Sequence, residues 1–147
     1  VSLDTGRPKS DILEMAFEDC GLSGYEFGRT PEEITAALRK LNAMMDEWPW
    51  SLMGYVQPEY SSGSPEEASG IPRKYTSVVA QYLALRIAPN MGKTLSVEQR
   101  ATLSRSYSLM QSELATVPSM PYPNSTMRGL GSKPQNRPFM TEGVVVE

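Results

Sequence analysis

The chain contains no histidine. Its absence removes Ser-His-Asp and Cys-His catalysis, and every histidine-ligated metal. Chemistry would have to come from carboxylates, lysine or tyrosine. The carboxylates include three adjacent pairs, Glu32-Glu33, Asp46-Glu47 and Glu66-Glu67. Neighbours on a helix point in different directions, so none is a ready acid-base pair. A glycosidase pair needs two carboxyl groups about 5–10 Å apart across a cleft, and no spacing along the sequence displays one. Gly92-Lys93-Thr94 imitates the end of a nucleotide-binding loop, but the upstream glycine is missing and no strand pattern precedes it. A lone cysteine forms no internal disulfide and argues against a zinc site. The expectation is a chain with no catalytic residue, no cofactor and no metal.

Two further features carry charge or aromatic surface. Arg86 interrupts the apolar run from Tyr82 to Ala88. An unpaired buried charge is very costly, so the expected partner is a carboxylate of the preceding helix, Asp46 or Glu47, in a buried structural pair. Trp48-Pro49-Trp50 marks a helix end. One reading packs the cluster against the following apolar helix. The other leaves Trp50, beyond the break, facing a partner subunit, since aromatics are favoured at interface centres.

The elements that would position these residues are helical. Ser10 is a plausible N-cap for a short helix carrying Ile12, Leu13, Met15, Ala16, Phe17 and Cys20, with Gly21 placed to stop it. Leu22 to Arg29 reads as a loop. Thr30-Pro31-Glu32-Glu33 has the form of a capping box with proline at the first helical position. Ile34, Leu38, Leu41, Met45 and Trp48 follow on one face, and Pro49 ends that helix near Trp48. Residues 51–70 lack helical periodicity, and Tyr55-Val56 suggests a brief strand in a protruding hairpin. A third helix, entered at Pro72, is apolar over most of its circumference, which predicts a central position. Ser96-Val97-Glu98-Gln99 opens a fourth, with Leu103, Tyr107, Met110, Leu114 and Val117 on one face and Pro118 at its end. The methionines fall mostly at helical core spacings and read as gap-filling residues.

Composition then changes. Residues 118–147 hold five prolines and few apolar residues before Val144-Val145-Val146, and 118–140 carries Arg128, Lys133 and Arg137 without one acid. Such a segment cannot build a core of its own. The reading is an all-α fold: a four-helix bundle-like domain over 1–117, a long loop or hairpin at 51–70, and an extended proline-rich arm at 118–147. Net charge is -3, which argues against generic DNA binding. No run is long and apolar enough to cross a membrane. The first residues lack the pattern of a signal peptide, so synthesis in the cytosol is the default expectation.

Leu41-Asn42-Ala43-Met44-Met45-Asp46-Glu47-Trp48 with Gly54-Tyr55 resembles the second helix of the head-to-tail adaptor proteins of short-tailed bacteriophages, also called tail accessory factors or DNA-stabilisation proteins. Leu83-Ala84-Leu85-Arg86-Ile87-Ala88-Pro89 is similar to that family's next helix. Pro121-Tyr122-Pro123 resembles the start of its C-terminal arm. The order and spacing match across about residues 40–125, whereas the stretch before residue 30 is longer than the family pattern and Pro123–Glu147 shows no likeness past its opening.

The resemblance implies a non-enzymatic virion protein at the head-tail junction, assembled in the host cytoplasm. It implies a dodecameric ring of this chain under the portal protein, sealing packaged DNA and giving the tail tube or nozzle protein a platform. DNA would pass through the channel without specific binding, and no membrane is involved. The residues expected at portal or subunit contacts are Trp50, Tyr122, Arg128, Arg137, Phe139, Val144, Val145 and Val146. Two readings from other classes stand beside it: a carboxylate-based peptidoglycan hydrolase acting during infection, and a small DNA-binding packaging factor.

Overall fold

The computed structural model describes residues 6–22 and 28–118. Contacts separate a unit Val1–Thr116 from Val117–Glu147, and the elements below belong to the first. The fold is all-α. Among the described residues there are four α-helices, α1 (Lys9–Asp19), α2 (Pro31–Asp46), α3 (Arg73–Ile87) and α4 (Val97–Leu114), with 3-10 helices at Trp50–Met53 and Ala88–Met91.

Each helix starts and stops for a local reason. In α2, Thr30 Oγ1 accepts from the Glu33 amide while the Glu33 carboxylate accepts from the Thr30 amide, and Pro31 opens the first turn. Ser96 and Gln99 make the same reciprocal cap on α4. Gly21, at φ +81°, ends α1 in the left-handed region that costs glycine least. α1 departs from expectation at its start: it opens at Lys9 behind Pro8, not at a Ser10 cap.

The core is one cluster in which α3 is central, packing on α1, α2 and α4. Ile12, Leu13, Ala16 and Phe17 of α1 meet Val79, Ala80, Leu83, Ala84 and Ile87 of α3. Ala37, Leu38, Leu41, Met44 and Met45 close it from α2. α4 contributes less, burying Leu103 and Met110 and resting Tyr107 and Leu114 against the cluster. Met44, Met45, Met53 and Met110 are all buried.

Three sequence expectations need correction. α2 ends at Asp46, and its C-cap Glu47 is already extended, so Trp48 does not continue the apolar face. Pro49, two residues on, disfavours helical backbone at Trp48 and has no amide with which to continue the helix. α4 ends at Leu114, which places Val117 beyond the helix. Finally, Tyr55 and Val56 form no strand, and 54–70 is not a protruding hairpin. It folds back as a tied loop. Val56 N–H donates to Ser69 O, Ser69 N–H to Arg7 O, Ser10 N–H to Pro65 O and Lys9 N–H to Glu67 O. Gly70 permits the return: a Cβ there would meet the Gly54 carbonyl oxygen at 2.6 Å, and its φ is +74°.

Candidate interaction surface

The end of α2 and the loop after it gather most of the residues singled out by chemistry. Arg86, in the last turn of α3, forms a two-pronged bond to Glu47, with Nη1 to Oε1 at 2.9 Å and Nη2 to Oε2 at 2.5 Å. Asp46 instead accepts from the Gln57 amide at 2.9 Å. The pair is not buried as expected: the Arg86 side chain is 29% exposed and that of Glu47 52%. Arg86 escapes the core because its position falls on the α3 edge facing the end of α2. There its guanidinium lies over the Tyr82 ring, 5.3 Å from the centroid. The bond to Arg86 holds the Glu47 carboxyl below its ordinary range.

Trp50 does not face solvent or a partner. It is 1% exposed and packs against Tyr82 and Tyr107, at centroid distances of 5.0 and 5.4 Å. The two tyrosines stack at 5.5 Å. This corrects the assignment of Trp50 to an interface and supports the packing reading of the cluster. Trp48 takes the outward position at 66% exposure. The turn through Pro49 into the 3-10 helix reverses the two indoles relative to simple helical continuation. The other expected interface residues, Tyr122, Arg128, Arg137, Phe139, Val144, Val145 and Val146, lie outside the described residues.

One charged site escaped sequence reading. Lys9 is fully buried. Its ammonium bonds Glu67 Oε2 at 3.0 Å and sits 5.0 Å from the centre of the Tyr55 ring. Tyr55 O–H donates to Asn42 Oδ1 at 2.6 Å, and Asn42 Nδ2 donates to Ser62 O. Gln57 Nε2 donates to Asn42 O as well as to Asp46. Burial, then Glu67 and Asp46, push the Tyr55 hydroxyl well above its usual range. The bond from Lys9, then the Ser64 amide, hold Glu67 low. No local spacing signals this network, because Lys9 and Glu67 meet only once the loop has folded back.

Most of the carboxylates with strong partners are committed to ion pairs. Glu67, Glu47 and Glu113 are held as anions by Lys9, Arg86 and Lys74 with Tyr75. Asp19 differs: burial, then Glu18, raise its carboxyl above the ordinary range. It lines a cleft of about 480 Å³ together with Gln81, Leu95, Ser96, Glu98, Gln99 and Thr102. The fold thus brings Asp19 and Glu98 to one cleft although 79 positions separate them in sequence. Cys20 is buried, its thiol donates to Ala84 O at 3.4 Å, and burial raises its pKa, so it is a core residue and not a nucleophile. Among the described residues no group of histidine, cysteine and carboxylate side chains could hold a metal. No described helix is long and apolar enough to cross a membrane.

The chain matches the P22 tail accessory factor family over residues 9–136, and it belongs to that family. The match takes in both α1, which the sequence resemblance did not cover, and most of the arm. The chain is also 25% identical over 117 residues to a protein named peptidoglycan hydrolase gp27 from Acyrthosiphon pisum secondary endosymbiont phage 1, covering 76% of this chain and 73% of that one. Family membership makes this a phage tail-accessory protein with a structural place in the virion.

Proposed function

We propose that the chain is a head-to-tail adaptor: a non-enzymatic subunit that forms a ring, dodecameric as the family resemblance implies, under the portal. There it seals packaged DNA and gives the tail tube or nozzle a platform. The observation that carries this reading is the family match over residues 9–136. The helical body supports it by placing two reciprocal helix caps and one core within residues 12–110, so a subunit can fold before it assembles. The net charge of -3 suits a channel that does not hold DNA.

Under this reading residues 118–147 form a docking arm that reaches the portal. Extended chain covers about 3.3 Å per residue, so thirty residues reach about 100 Å, more than the width of a small domain. Tyr122 and Phe139 serve as anchors, Arg128 and Arg137 as partners for acids, and Val144-Val145-Val146 as a short strand added to a partner's sheet. Truncation after Val117 tests it. The shortened chain keeps the helical melting transition and loses binding to portal; undiminished portal binding would contradict the docking role.

A second reading rests on the Asp19–Glu98 cleft and on the name of the phage relative. A carboxyl raised by burial is suited to donate a proton, and a second carboxylate in the same cleft completes the outline of a wall hydrolase. Zymography on cell walls separates the readings. Clearing that is lost in both Asp19→Asn and Glu98→Gln would make the chain an enzyme; no clearing by wild type leaves it structural.

A further inference from the structure

Between Leu41 and Pro72 the chain carries five acids, Asp46, Glu47, Glu59, Glu66 and Glu67, and no lysine or arginine. The same stretch exposes Trp48, Leu52, Val56 and Tyr60, one at every fourth residue, at 66%, 52%, 52% and 85%. Two of the acids are already paired, Glu47 with Arg86 and Glu67 with Lys9. Asp46, Glu59 and Glu66 remain exposed to meet other charges.

This stretch is fixed in place. Gln57 and Ser62 are bonded to Asn42 of α2, Glu67 to the buried Lys9, and Ser69 to Arg7. The Gln57 side chain bonds both Asn42 O and Asp46 Oδ1, which ties the loop to the last turn of α2. A surface whose backbone is already ordered loses little entropy when a ligand binds. Four large apolar side chains exposed within residues 48–60 of such a surface mark it as a docking region, called the strip below. Its acidity repels phosphate backbones and selects a cationic protein segment.

One such segment is present in the sequence. Residues 119–140 carry Arg128, Lys133 and Arg137, no acid, and the apolar groups Tyr122, Met127, Leu130, Phe139 and Met140. We propose that the strip from Trp48 to Tyr60, rimmed by Asp46, Glu59 and Glu66, receives residues 119–140 of a second copy of this chain. The contact joins two different patches, as a heterologous ring contact must. It deepens the proposed function and rests on it, because copies must lie side by side for the arm to cross its neighbour on the way to the portal.

The test uses the full chain with a photoreactive benzoylphenylalanine in place of Tyr60, a site exposed enough to accept it. This protein is mixed with isotope-labelled wild type, alone at high concentration and again with portal added. It is then irradiated, and the joined peptides are identified by mass spectrometry. Cross-links should run to residues 119–140 of the labelled copy. Arg128→Glu with Arg137→Glu in that copy should lower their yield about tenfold, and added salt should weaken them, since exposed charges are screened. Cross-links elsewhere, within one copy only, or absent, in a sample that binds portal, overturn the strip assignment and leave the adaptor reading standing. Failure of the wild-type chain to bind portal overturns both.

Discussion

Trp50 gives up nearly all contact with water to lie against Tyr82 and Tyr107, while Trp48, two positions earlier, keeps two thirds of its surface exposed. Their energetic roles follow from that difference. Trp50→Ala removes a large ring from a filled site and should cost about 3–5 kcal/mol, through lost burial and the cavity left behind. Trp48→Ala should stay within about 0.5 kcal/mol of wild type, the usual range for surface changes. Chemical denaturation of both variants checks this; equal losses would contradict the packing described. Arg86 follows the same logic. Because Glu47 keeps access to water, replacing Arg86 should cost far less than opening a buried ion pair does.

At the scale of elements, the loop 54–70 is held by a buried ammonium. Glu67→Ala leaves Lys9 inside the protein without its carboxylate, whereas Lys9→Met leaves Glu67 free to reach water. The expected order is therefore that Glu67→Ala destabilises more than Lys9→Met, as measured by urea midpoints. The reverse order would show that the loop does not depend on compensating Lys9. The same carboxylate sets an acid dependence. Lys9 depresses the folded-state pKa of Glu67, so the pair stabilises the fold above the unfolded carboxylate value, near pH 4.3. That stability is lost as pH falls through the lower folded-state value. Glu47 and Glu113 act with the same sign. Wild type should lose stability steeply below about pH 4, and Glu67→Gln should lose it less steeply. Identical pH profiles would count against the lock.

How much was legible in the sequence differs by element. Helix starts at Thr30 and Ser96 were readable because both halves of each cap lie within four residues. The core faces of α1 and α2 were readable from their spacing. Long-range partners were not. Nothing local joins Lys9 to Glu67 across 58 positions, or Asp19 to Glu98 in one cleft. The exchange of Trp48 and Trp50 was hidden because helical spacing continues on paper through Pro49, where the backbone turns away. The apolar run around Arg86 suggested full burial, yet one edge of α3 stays open to Glu47.

At the scale of the molecule, the described residues pair one helical core with exposed apolar surface. The proposed adaptor function uses both: a body that folds alone and contacts that are satisfied only in the virion. We propose that assembly waits for the portal, which brings the arm of one copy against the strip of the next. The most direct measurement of that claim is electron microscopy of the purified full chain, alone and mixed with the portal of its phage. The account predicts single subunits in the first sample and a closed ring seated under the portal in the second. A stable ring without portal would contradict conditional assembly, and portal particles that stay bare at saturating protein would contradict the adaptor function itself.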